Sequence, residues 1–145
     1  MIISTSVEFD SYYFVKGNIN GGVFVKEIRL HEGELNIMEL LWSNKVLAAK
    51  DISKIIKEYI GWEKNTTYTV IKRLIDKGAI IREDPGFLCK AAIPKRTIQI
   101  IETQALLNKL YNGSLSNFLT EYIGNQTLST SEVLELERII NEYKL

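Results

Sequence analysis

The sequence predicts a mainly α-helical protein in which three helices and a β-hairpin form one unit and three further helices form another. Three observations carry that expectation. Thr67, Val70, Ile71 and Leu74 recur at i, i+3, i+4 and i+7, which is one apolar stripe on a helix over 63–78, and Gly78 suits the position that ends it. Between Ile80 and Ala92 two short apolar runs flank Asp84-Pro85-Gly86, where Pro followed by Gly suits the two central residues of a type II turn. Beyond Pro94 the pattern is helical again, three times over. A helix followed directly by a hairpin is the ending of a winged helix-turn-helix. The expected layout is therefore an N-terminal appendage over 1–27, a winged helix over 28–94 and a three-helix dimerisation region over 95–145.

The 145 residues suit one domain or two small ones, and the apolar fraction of 46% is ordinary for a soluble globular chain. No apolar run approaches bilayer length and no basic segment precedes an apolar stretch at the N-terminus, so a cytoplasmic protein without membrane insertion is expected. Cys89 is the only cysteine. That excludes an intramolecular disulfide and a cysteine metal cluster, and a small packing role on a wing strand is expected for it. Net charge is zero, but from Arg29 to Arg96 thirteen Lys and Arg face nine Asp and Glu (+4), whereas from Thr97 to Leu145 three face six (−3). A mildly basic half joined to an acidic half fits a DNA reader attached to an assembly module, with salt-sensitive affinity.

Met1 to Val25 reads as an aromatic strand at Tyr12, Tyr13 and Phe14, a loose turn over Gly17 to Gly22, and a strand at Val23 to Val25. The expectation is an appendage without chemistry. One reading is upstream sequence translated from an early start, with Val25 an alternative initiator.

The first helix is expected over 32–44, with Leu35, Met38, Leu41 and Trp42 inward and Glu34 and Glu39 off that face. His31, the only histidine, is read as a cap or surface residue rather than a ligand or base. The second helix, 48–60, turns Ile52, Ile55, Ile56 and Tyr59 inward and leaves Lys50, Lys54 and Lys57 outside. In a helix-turn-helix this element crosses the phosphate backbone, so Lys50 is a candidate contact. Trp62 links it to the third helix, either packing the turn or stacking near the sugar-phosphate rail.

The third helix carries the candidate site. Lys64, Asn65, Thr66, Tyr68, Thr69, Lys72 and Arg73 are left facing outward, and Asn, Thr, Tyr and Arg are the groups that bond base edges and phosphates. Arg82 and Lys90 on the wing are candidate backbone contacts, opposed by Glu83 and Asp84, which repel phosphate. An ordinary amphipathic helix with a solvated polar face is the alternative.

In the last third, a helix over 97–111 carries Ile98, Ile101, Ala105, Leu106 and Leu110 and is stopped by Asn112-Gly113. A short one over 114–123 carries Leu115, Phe118, Leu119 and Tyr122, and a capping box at Ser129 and Glu132 opens a last helix with Val133, Leu136, Ile139, Ile140 and Tyr143. Helices this short with broad apolar faces need a partner, most simply the same segment of a second copy. Ile101, Leu106, Leu110, Phe118, Leu119, Tyr122, Leu136 and Ile140 are the expected dimer contacts.

From Ile28 to Leu145 the sequence resembles the penicillinase-repressor family of bacterial transcriptional regulators, the BlaI/MecI/CopY type. The resemblance rests on LHEGELNIMELLW (Leu30 to Trp42), WEKNTTYTVIKRLIDKG (Trp62 to Gly78), LYNGSLSNFL (Leu110 to Leu119) and LSTSEVLELERII (Leu128 to Ile140). It implies a homodimer that binds a palindromic operator in double-stranded DNA and blocks transcription, without cofactor or metal. Asn65, Thr66 and Tyr68 would then meet bases, and Arg73 a phosphate. In the antibiotic-resistance members a membrane sensor protease triggers cleavage at an Asn-Phe bond. That position is Glu121-Tyr122 here, and an Asn117-Phe118 pair lies one turn earlier. The copper-sensing members carry paired cysteines near the C-terminus, which this chain lacks. Two other classes stand beside a repressor: a winged helix that docks a protein partner, which zero net charge and an acidic wing tip also suit, and a small enzyme, for which the sequence offers no nucleophile with a base and no phosphate-binding loop.

Overall fold

The computed structural model describes residues 6–9, 12–15, 17–19, 22–24 and 28–144. The chain divides into two compact units, Met1–Ala105 and Leu106–Leu145.

In the first unit the N-terminal stretch forms two antiparallel hairpins, where one was expected. β1 (Ser6–Phe9) pairs with β2 (Tyr12–Val15), and β3 (Gly17–Ile19) with β4 (Gly22–Phe24). The aromatic run turns back on Ser6–Phe9, so the glycine-rich segment that was read as a loose turn is free to pair with itself. Val25 lies outside the described residues.

The helical core follows. α1 spans Glu32–Ser43 and buries Glu34, Ile37, Met38 and Leu41, a stripe one residue away from the expected one. The reason is Glu34, which was placed on the outer face. Its Oε2 accepts from the His31 N–H and from Lys77 Nζ, both at 2.8 Å, so a carboxylate that is 1% exposed has partners for its charge. Trp42 is half-buried on the flank, and its Nε1–H donates to the Ile93 carbonyl at 2.8 Å.

After β5 (Leu47–Ala48), α2 (Ala49–Ile60) buries Ala49, Ile52, Ser53 and Ile56. Tyr59, expected inside, is 83% exposed. The core stops covering α2 at Ile56, so Tyr59 and Ile60, at 42% exposure, both lie outside it. Gly61, at φ 83°, ends the helix, and the Trp62 ring packs across α1. A methyl group on Gly33 would lie 3.0 Å from the indole, so glycine there makes room for it.

α3 (Lys64–Asp76) buries the expected Thr67, Val70, Ile71 and Leu74. It ends in a Schellman motif, with Gly78 at φ 78° and the Gly78 and Ala79 N–H groups donating to the Ile75 and Leu74 carbonyls. β6 (Ile80–Glu83) and β7 (Leu88–Ala91) form the wing hairpin, and the short β5, missed in the sequence, completes a sheet in the order β5-β7-β6. The connection is not a two-residue type II turn. Glu83 pairs with Leu88, so the loop takes four residues, with a cis Asp84-Pro85 peptide and left-handed Gly86 and Phe87. Cys89 is fully buried under the sheet. α4 (Lys95–Tyr111) adds Ile98 and Ile101 to this core. Each such side chain contributes about 1.5 to 3 kcal/mol by leaving water.

The second unit holds the end of α4, α5 (Leu115–Gly124) and α6 (Thr130–Glu142). Asn112 and Gly113 both take left-handed backbones where α4 stops. Ser114 accepts the Asn117 N–H at 3.1 Å and caps α5. The expected capping box opens α6: the Glu132 N–H donates to Ser129 Oγ at 3.2 Å and the Ser129 N–H to Glu132 Oε2 at 2.7 Å. The Ser129 N–H, together with the Ser129 hydroxyl, which donates to the same Oε2 at 2.8 Å, holds the Glu132 carboxyl below its ordinary pKa. Phe118 packs edge-on to Tyr111 and stacks with Tyr122, at centroid distances of 5.3 and 5.7 Å.

Candidate nucleic-acid interface

α3 lies across the core with its apolar stripe down, which fixes what its other faces present. Lys64, Asn65, Thr66, Thr69, Lys72 and Arg73 are exposed. Tyr68 is half-buried, and its ring sits edge-on to Phe87 of the wing at 5.7 Å. The two elements enclose an open groove lined by Asn65, Tyr68, Thr69 and Lys72 from α3 and by Arg82 and Phe87 from the wing. These residues are brought together by the hairpin folding back beside the helix.

The polar groups differ in how free they are. Lys72 and Arg73 have no carboxylate partner among the described residues, and neither has Lys50 on α2. The Lys64 ammonium sits 5.6 Å from the Tyr68 ring centre. Thr69 Oγ1 donates back to the Asn65 carbonyl at 2.8 Å, which leaves its lone pairs for an incoming donor. The Glu63 side chain does not cap the start of α3. The first N–H groups of the helix are thus available to an anion.

The wing cations are engaged internally. Arg82 Nε lies 3.1 Å from Asp84 Oδ2, and Lys90 Nζ lies 2.8 Å from Glu83 Oε1. The Arg82 guanidinium also lies over the Phe87 ring, 3.6 Å from its centre. Lys57 on α2 is paired with Glu63 at 3.3 Å. Burial pushes the Cys89 thiol above its ordinary pKa, against the pull of Arg82, as expected of an inert packing cysteine. Phe87 was passed over in the sequence as part of an apolar run. Its place directly after Pro85-Gly86, at the tip of a hairpin, was the available signal.

The residues expected at a dimer contact divide. Ile101 is 2% exposed and lies inside the first unit's core, so its side chain is not available to a second chain. It lies on the same face of α4 as Ile98, which is equally covered. Leu106, Leu110, Tyr122, Leu136 and Ile140 are exposed by 42, 63, 57, 37 and 63%, and Phe118 and Leu119 are half-buried.

Three helices with α3 lying beside a three-stranded wing are a winged helix domain. A model of the family described as Penicillinase repressor matches residues 30–142, and the chain belongs to that family. The penicillinase repressor of Bacillus licheniformis is 27% identical over 118 residues, covering 80% of this chain and 92% of that protein. The methicillin resistance regulatory protein MecI of Staphylococcus aureus (strain N315) is 26% identical over 119 residues, covering 81% and 97%. The solution structure of the DNA-binding domain of the repressor BlaI aligns with a TM-score of 0.46 at 25% identity, over 50% of this chain and 93% of that one. Among the described residues no helix is long and apolar enough to cross a membrane.

Proposed function

We propose that this chain is a dimeric, sequence-specific transcriptional repressor without catalytic activity, acting in the cytoplasm on a palindromic operator in double-stranded DNA. The observation that carries the reading is the polar side of α3, where Asn65, Thr66, Lys72 and Arg73 are exposed and Asn65 and Lys72 line the groove. Base edges are read by Asn65, Thr66 and Tyr68, phosphates by Lys64, Lys72, Arg73 and Lys50. Residues 28–94 form the reading domain and 95–145 the assembly domain, with 1–27 an appendage. The exposed apolar side chains of α5 and α6 are the surface that a second copy covers. The names of the relatives, penicillinase repressor and methicillin resistance regulatory protein, support the same reading.

Release of the operator through a membrane sensor protease would act on α5. Its two candidate bonds, Asn117-Phe118 and Glu121-Tyr122, both lie inside the helix, so cleavage there requires local unwinding. The test of the main reading is selection from a pool of random duplexes by the full chain, followed by titration at low and moderate salt. One enriched inverted repeat with salt-dependent retention is the expected result. Zero net charge and an acidic wing tip also suit a domain that docks a protein, and in that case no duplex is enriched at any salt concentration.

A further inference from the structure

Phe87 has a backbone that a bulky residue seldom adopts, at φ 49°. Such a conformation persists where the surroundings impose it, and it clusters at functional sites. Here three contacts impose it. The ring meets Tyr68 of α3 at 5.7 Å, nearly perpendicular at 82°. The Arg82 guanidinium covers the ring at 3.6 Å, and its Nε is held by both carboxylate oxygens of Asp84 at 3.1 and 3.3 Å. The Phe87 carbonyl accepts the Ala49 N–H at 2.9 Å, tying the wing tip to the first residue of α2.

We propose that Phe87 is a positioning residue for base readout, with Arg82 its support rather than a phosphate contact. The proposal rests on the reading that α3 meets duplex DNA. A tyrosine on one exposed helix face turns about two side-chain bonds, and freezing it on binding costs affinity. The Arg82–Phe87 stack removes that freedom in advance, because its edge-to-face contact fixes the angle at which the Tyr68 ring stands in the groove. Arg82 suits the support because its guanidinium is planar and always charged, so it can lie flat on the ring while Nε stays bonded to Asp84. A lysine would keep the charge but not the stack.

The test uses the full chain, a duplex selected by the unsubstituted protein from a random pool, and a shuffled duplex of the same composition. Asn tolerates a left-handed backbone, so Phe87→Asn keeps the loop and removes the ring, while Phe87→Tyr restores it. Phe87→Asn is expected to lose about ten-fold in affinity for the selected duplex, with the shuffled duplex nearly unchanged at a temperature where the variant is folded, and Phe87→Tyr to recover it. Arg82→Lys is expected to lose several-fold on the selected duplex alone. Equal loss on both duplexes, or no loss on either, overturns the positioning role. If Phe87→Asn shows no cooperative melting, Arg82→Lys decides by the same criterion. A pool from which the unsubstituted protein enriches nothing overturns the DNA reading and this inference with it, a result distinct from an enriched duplex that Phe87→Asn binds normally.

Discussion

Replacing Lys77 by Met would strand a carboxylate inside the first unit. Lys77 Nζ donates to Glu34 Oε2 and to the Arg29 carbonyl, each at 2.8 Å, so it clamps the end of α3 to the start of α1 and to the segment before it. Glu34 is 1% exposed, and its other oxygen, Oε1, is buried without a partner. Without Lys77 only the His31 N–H remains to it. Removing one member of a buried pair costs about 3 to 5 kcal/mol, and because Lys77 is itself 27% exposed the lower end, about 3 kcal/mol, is expected. For a unit of this size that is a fall in melting temperature of about 12 to 24 °C.

The pH dependence supplies an independent check. Burial alone would raise the Glu34 pKa. The hydrogen bond and charge of Lys77, with the His31 N–H, outweigh it and hold the group below its ordinary value of 4.5. The pair therefore contributes stability above the pKa of the unfolded carboxyl, and that contribution is lost as pH falls through the lower folded value. In Lys77→Met burial is opposed only by His31, through its N–H and its charge, so Glu34 takes up a proton more readily and the variant gains relative stability on acidification. Melting followed by circular dichroism at pH 7 and pH 4 should show the gap between the two proteins narrowing. Glu34→Leu combined with Lys77→Met should recover most of the loss. A fall of under about 4 °C at pH 7, or a gap that widens in acid, would refute the reasoning.

Three further outcomes are expected. Asn65→Ala and Tyr68→Ala should each weaken binding to a selected duplex by roughly 1 to 3 kcal/mol, whereas Lys72→Ala should weaken selected and shuffled duplexes alike; equal effects from all three in a gel-shift titration would dismiss those roles. Glu83→Gln releases Lys90 from its 2.8 Å partner, so the slope of log affinity against log salt should steepen by about 0.9 if Lys90 then reaches a phosphate, and an unchanged slope would place it away from DNA. Leu110→Glu and Ile140→Glu put charge on side chains that are each 63% exposed in the single chain, and sedimentation should show monomers with unchanged helicity. Dimers that survive both changes would move the assembly surface elsewhere.

Local patterns in the sequence located α3, its buried stripe, its glycine stop, the wing hairpin and the Ser129 capping box, because each depends on residues a few positions apart whose spacing matches a helical or strand period. The outward side of α3 followed by subtraction. Tertiary contacts decided the rest. Glu34 lies inside because Lys77, 43 positions away, meets its charge, and no rule of local polarity anticipates that pair. Tyr59 lies outside because the core stops covering α2 at Ile56, and Ile101 lies inside because α4 packs on the first unit's core before leaving it. The wing loop closes over four residues rather than two because Glu83 pairs with Leu88 across it. Periodicity reports which side of an element is apolar; which charges find partners, and where an apolar side runs out of cover, depend on distant segments that meet only when the chain has folded.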